Sequence, residues 1–356
     1  MRVLRIVMVL VGLTTAVVLP PWDAFLPWLA PLPDTVAEEV DAALDLDLDA
    51  IIVYVDRGGA EPAFFAAGWK NKETRVPADP HALFKIASIH KLYIATAVAK
   101  LDHAGVLSLD DALVDHLPDL AGRIEHADRI TVRMLVQHRS GIPNYSDQPE
   151  FDWFGPSLGS DENLALVLDR PADFEPDARY RYSNTNYLLL GRVMDEALGY
   201  AHERYVHEEI LAPLGLENTF FFLDDERFDD LASGYWYGYE DDLRRTGAVG
   251  PVGSMVATAQ DVGTFVRALN DGSLLSDEEQ ATYASIYEYG HTGWVPGYYS
   301  IARYHPEIDT VVVQFVSTTG GTTWALSNLT GGIVGGKAVG LANAVYGRIV
   351  RILKRS

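Results

Sequence analysis

Strand-like runs stand near both ends of this chain and helical period dominates between them, which constrains the fold more than any single residue does. AIIVYVD and PAFFAAGW, joined by Arg57-Gly58-Gly59, read as a hairpin. GWVPGYYSIARYHPEIDTVVVQFVSTT gives two alternating runs separated by His305-Pro306-Glu307. From about residue 105 to 245, segments such as TVRMLVQH and YLLLGRVMDEALGY carry helical spacing and turns. Strands that are distant in sequence but share one sheet require the middle to be an insertion. The expectation is therefore an α/β (α+β) chain, an antiparallel sheet flanked by helices plus an inserted mainly helical region, with a cleft between. Its regions would be 34–104 with 246–356 as the discontinuous α/β part, 105–245 as the helical part, and 1–33 as an N-terminal segment and Pro-rich linker. DTVAEEVDAALDL reads as an amphipathic helix before the first strand. With 356 residues, 48% of them hydrophobic, the chain can bury a large core.

FKIASIHKLYIATAVAKL places Ser88 and Lys91 three residues apart at the head of an apolar helix-forming run, where no other buried lysine is expected. Positions i and i+3 share a helix face, so the lysine can reach the serine hydroxyl. A serine attacks only when a base takes its proton, and a lysine becomes that base when desolvation lowers its pKa. The alternative is a chance S-x-x-K match whose lysine snorkels to solvent.

Two further clusters bear on the pair. In YRYSNTNY, Tyr182 and Asn184 precede a helical run; a phenol beside a cation such as Lys91 becomes a usable acid or base, and an amide both donates and accepts. In EYGHTGWVPGYY, His291, Thr292 and Gly293 begin a strand. Gly293 lets a substrate approach the backbone, and the Trp294 and Ser88 N–H groups would face an oxyanion. Singly, Tyr182 reads equally as a core tyrosine and His291 as a surface histidine.

In order and spacing these clusters resemble the three motifs of the serine β-lactamase and DD-peptidase family (penicillin-binding protein-like serine hydrolases). LVQHRSGIP and VGSMVATAQDVGTFVRAL look like segments between those motifs, and the resemblance covers roughly residues 35 to 345. It implies a β-lactamase/transpeptidase-like fold and an acyl-serine mechanism without metal or cofactor. Ser88 would attack a carbonyl, Lys91 and Tyr182 would share the proton, and Asn184, His291, Thr292, Gly293 and Trp294 would bind substrate. Y-S-N with H-T-G is similar to the D-Ala-D-Ala carboxypeptidase branch, where His291 takes the place of the β-lactamase lysine. The implied substrates are D-amino-acid peptides first, then carboxylic esters and β-lactams; a penicillin- or peptide-binding sensor without turnover is the non-enzymatic alternative. One departure stands out. A substrate ending in a carboxylate wants a cation near the third motif, yet between Arg267 and Arg303 there is neither lysine nor arginine. His291⁺, Arg139, Arg244 or Arg245 would have to substitute; otherwise an internal amide or neutral ester fits better.

Other features are weighed against these. GPSLG fits G-x-S-x-G around Ser157, but the acidic, proline-led PEFDWF before it is no buried strand. HERYVHEE spaces His202 and His207 five apart, wrong for a metal helix and expected as a solvated face. GGIVGGKAVG is no dinucleotide fingerprint. The net charge of −22 disfavours nucleic acid as a partner, leaving a small molecule or peptide. The C-terminal segment has an apolar face (Val345, Ile349, Val350, Ile352, Leu353) with Arg348, Arg351, Lys354 and Arg355 opposite, expected to dock on the core, with lipid headgroups as the alternative. MRVLRIVMVLVGLTTAVVLPPW has the basic start and apolar stretch of an export signal or uncleaved membrane anchor, predicting an extracytoplasmic protein. Cysteine is absent, which excludes thiol chemistry and disulfides.

Overall fold

The computed structural model describes residues 29–156, 158–246, 255–321 and 336–355. The expected export stretch (residues 1–22), most of the linker after it, Ser157 and residues 331–335 of the glycine-rich run lie outside them. Among the described residues no helix is long and apolar enough to cross a membrane.

Six antiparallel strands form the main sheet: β1 (Ala50–Arg57), β2 (Ala63–Asn71), β3 (Val76–Pro77), β4 (His291–Val295), β5 (Tyr298–His305) and β6 (Thr310–Val316). Their order is β3-β2-β1-β6-β5-β4, so the first and last strands of this sheet meet at its centre, with Tyr54 opposite Val313. The strand begun by His291 ends sooner than expected, because GWVPGYY contains its own turn at Pro296-Gly297 and the run divides into β4 and β5. There Gly297 takes φ +85°, the left-handed conformation a Pro-Gly turn needs.

Side chains alternate across the sheet. Ile51, Val53 and Val55 face one layer of helices, α1 (Val36–Ala42) and α5 (Gly336–Leu353). Ile52 and Tyr54 face the other side, which holds α2 (His90–His103), α3 (Asn184–Leu198) and α4 (Ala259–Asp271) in one core. The two-sided burial matches the expected antiparallel sheet between helical layers. α1 is capped by Thr35 and Glu38, each satisfying a backbone N–H of the other.

α5 docks on the sheet as expected, with one correction. Arg348 is buried, not on a solvent face: its Nε donates to Glu39 Oε1 at 2.7 Å and its other nitrogens donate to the Ala30 and Pro31 carbonyls. Helical period alone cannot reveal this, because the buried carboxylate lies 309 residues away. His202 is likewise buried and not solvated. Asp195 Oδ1 accepts both its backbone N–H (2.6 Å) and a ring hydrogen bond through Nδ1 (2.8 Å), tying the end of α3 to the next helix.

Candidate active site

Ser88 stands in a single 3-10 turn, Ala87–Ile89, that runs directly into α2. Ala87 holds φ +48°, a conformation L-residues rarely adopt, so the backbone before the serine is bent at some energetic cost. One turn on, Lys91 is 1% exposed, and its Nζ donates to Ser88 Oγ at 3.2 Å and to Asn184 Oδ1 at 2.9 Å. Tyr182 OH lies 2.6 Å from Ser88 Oγ. Residues 94 positions apart in sequence thus meet at the serine.

Burial sets the electrostatics. Desolvation lowers the Lys91 pKa to about 7, so much of the amine is neutral near neutral pH and able to accept a proton. The same burial pushes the Tyr182 phenol up, which outweighs the help from Ser88. Tyr182 is therefore held as a neutral phenol. Of the two roles expected for Tyr182, acid or base, burial favours the acid, and Lys91 is the group whose basicity burial brings near neutral pH.

Asn184 begins α3, and both ends of its amide are in use. Oδ1 receives Lys91, Nδ2 donates to Ser146 Oγ at 3.1 Å, and its backbone N–H donates to Asn144 Oδ1 at 2.9 Å. Asn184 thus orients Lys91, a role beyond the expected contact with a bound amide. Ser146 and Asn144 were not legible as site residues, because polar loop residues 38 to 40 positions upstream look like ordinary turn formers.

The opposite wall is β4, the edge strand. A methyl group on Gly293 would come within 2.1 Å of the Ile86 carbonyl, two residues before Ser88, so only glycine lets the strand lie this close. Ser300 Oγ on β5 donates to that same carbonyl at 2.9 Å. Pairing alternates outward from Val295 and Tyr298, which close the two-residue turn, and Trp294 falls in a non-hydrogen-bonded pair with Tyr299. Its N–H therefore points to the free edge of the sheet, as an oxyanion donor must. Thr292 follows His291 on the strand, opposite Ile301.

His291 is neutral. Burial lowers its pKa to about 4, and Nδ1 donates to the Thr292 carbonyl, leaving Nε2 facing Glu288 at 3.3 Å. Glu288 is itself pushed up by burial. Burial thus weighs against His291⁺ as the cation that a terminal carboxylate would need. The arginines are engaged elsewhere: Arg139 holds Asp177, Arg244 Nε donates to Asp242 at 2.7 Å, and the Arg245 guanidinium lies 4.1 Å from the Phe228 ring centre. Arg303 shares the Tyr299 and Ile301 face of β5, opposite to the face of Ala302, which pairs with His291.

Two features were not foreseen. Lys85 is a second buried lysine, 1% exposed, its pKa lowered to about 7 by burial. Its Nζ donates to the carbonyls of Thr246 (3.0 Å) and Leu243 (3.4 Å), partners 158 or more residues away that no local pattern announces. Aromatic side chains also cross between the walls: Tyr145, Phe151, Trp153 and Trp294 follow one another with ring centres 5.0 to 5.4 Å apart.

The sequence profile of the Beta-lactamase family matches residues 48–285, a span that takes in Ser88, Lys91, Tyr182 and Asn184 and stops short of His291. The chain is 30% identical over 242 residues to "Penicillin-binding protein 4" of Amycolatopsis lactamdurans, which covers 63% of this chain and 59% of the relative. It is 29% identical over 180 residues to a "Putative D-alanyl-D-alanine carboxypeptidase" of Escherichia coli K12, covering 49% and 41%. The chain thus spans only part of the curated relatives' length, 38% for "Penicillin-binding protein 4*" of Bacillus subtilis. In fold it is similar to the D-amino acid amidase of Ochrobactrum anthropi SV3 solved with L-phenylalanine amide (TM-score 0.76, 21% identity, 90% of this chain and 97% of that one). The penicillin binding protein of Bacillus halodurans is also similar (TM-score 0.71, 21% identity, 90% and 100%).

Proposed function

The chain belongs to the Beta-lactamase family, and on that footing we propose that it is a serine hydrolase working through an acyl-serine intermediate on Ser88. The observation that carries this reading is the meeting of Ser88 Oγ with a desolvated Lys91 amine and the Tyr182 hydroxyl. Neutral Lys91 takes the Ser88 proton as Oγ attacks the carbonyl carbon. The tetrahedral oxyanion is met by the Ser88 and Trp294 N–H groups. On collapse the C–N or C–O bond breaks, and the proton held on Lys91 reaches the leaving group through the Tyr182 hydroxyl, which gives one proton and receives another. Water then attacks the acyl carbonyl, losing its proton to the same pair, and the carboxylic acid departs as Ser88 is restored.

For substrate we propose a D-amino-acid peptide or amide whose leaving side is uncharged. Neutral His291 beside Glu288 offers no counter-ion for a terminal carboxylate, which supports amides over free D-Ala-D-Ala termini. A hydrolysis panel tests both levels: D-phenylalanine amide, D-Ala-D-Ala peptides with free and amidated ends, p-nitrophenyl esters and a chromogenic cephalosporin. Preference for the amidated peptide supports the reading, and preference for the free acid contradicts it. Acylation of Ser88 without turnover would instead mark a sensor. We further propose that the site works outside the cytoplasm, on the strength of the N-terminal segment; fractionation of the full chain tests this.

A further inference from the structure

We propose that His138 is the positioning residue that latches the Tyr182 loop against Ser88, a role that rests on the reading of Tyr182 as part of the reacting centre. His138 follows the short helix Val132–Val136 and holds φ +56°, where glycine or asparagine is the usual choice. A histidine there is strained and also buried, at 2% exposure. Its backbone is anchored by its own N–H to the Leu135 carbonyl at 3.2 Å.

From that anchor it grips Tyr182 on both sides. The His138 carbonyl accepts the Arg181 N–H at 2.9 Å, and ring Nδ1 accepts the Ser183 N–H at 3.2 Å. The imidazole lies against the Tyr182 ring itself, centres 4.5 Å apart. A backbone N–H can only donate, so Nδ1 carries no proton and the neutral ring holds its hydrogen on Nε2. Nε2 has no hydrogen-bond partner in its buried position. The ring is thus kept inside for the acceptor it offers to Ser183 and for its face against Tyr182. His138 itself forms no hydrogen bond to Ser88 or Lys91. It acts through Tyr182, whose hydroxyl must stay within hydrogen-bond reach of the serine.

Two substitutions separate the latch from the turn, because both residues accept a positive φ. His138→Asn puts Oδ1 where Nδ1 stands and retains the acceptor; His138→Gly removes acceptor and ring together. Labelling of Ser88 by a fluorophosphonate, followed by mass spectrometry, gives kinact and KI separately and needs no knowledge of the substrate. The latch predicts that His138→Gly lowers kinact about tenfold or more with KI unchanged, and that His138→Asn stays within about threefold of the parent. Wild-type kinact in His138→Gly, or an equal fall in both variants, would overturn the latch. If the parent protein is not labelled at Ser88 at all, the proposed function fails. If Ser88 is labelled and the variants do not differ from the parent, only the latch fails.

Discussion

The Tyr182 hydroxyl stands 2.6 Å from Ser88 Oγ, nearer than the Lys91 amine at 3.2 Å, although Lys91 is one helical turn away and Tyr182 comes from another part of the chain. The division of labour follows from burial. It lowers Lys91 to about 7 and raises Tyr182, so the lysine accepts the first proton while the phenol relays the second.

This fixes the pH dependence. Protonated Lys91 cannot accept the serine proton, so kcat/KM is expected to rise through an apparent pKa near 7 and then to level off. His291, lowered to about 4, contributes no limb between pH 5 and pH 9 under this account. A pH profile of fluorophosphonate labelling checks it; a limb near 4 with none near 7 contradicts it.

Asn184 Oδ1 accepts a hydrogen bond from Lys91 and so favours its charged form. Asn184→Leu is expected to shift that acidic limb to lower pH while reducing the plateau about 10- to 100-fold, because the lysine is no longer held in line. The same pH profile, run on the variant, reads both effects.

The fold carries a linked stability signature. A folded-state pKa below that of the unfolded chain means the unfolded state binds more protons between pH 7 and 10, so stability should rise with pH across that window. Lys91→Met removes the penalty of burying an ammonium and is expected to raise Tm by a few degrees at pH 6, with activity lost. Calorimetry at pH 6 and pH 9 gives the comparison.

Gly293→Ala would thrust a methyl group to within 2.1 Å of the Ile86 carbonyl. The edge strand must then move away from the serine turn. A loss of roughly 10² in acylation rate is expected, because an ångström of misplacement costs about that much. Circular dichroism separates this from unfolding.

Far from the site, Glu39 and Arg348 form a buried ion pair at 2.7 Å. Glu39→Gln leaves the guanidinium without its counter-charge and is expected to lower stability by about 3–5 kcal/mol. The kinact of the folded fraction should stay unchanged. Denaturant melts and labelling kinetics measure the two independently.

What the sequence disclosed was local or carried by a short pattern. S-x-x-K fixes its own geometry by helix pitch, and the Y-x-N and H-x-G triplets stand out against their surroundings. The strand alternation placed the sheet correctly, yet the Pro296-Gly297 turn was absorbed into one long run. What stayed hidden depends on partners remote in sequence. Arg348 looks solvated until Glu39 is brought to it, Lys85 looks exposed until the carbonyls of Leu243 and Thr246 receive it, and Ser146 gains meaning only when α3 places Asn184 above it. The charge state of His291 was open for the same reason, because its burial is a property of the assembled cleft.

Turnover requires that Ser88 become acylated and then be released. The most direct measurement is intact-protein and peptide mass spectrometry during incubation with a p-nitrophenyl ester or D-amino-acid amide. A transient acyl mass is expected on the peptide containing Ser88, absent in Ser88→Ala, whose turnover falls about 10⁴-fold or more. An acyl group found on Ser157, or turnover that persists in Ser88→Ala, would contradict it.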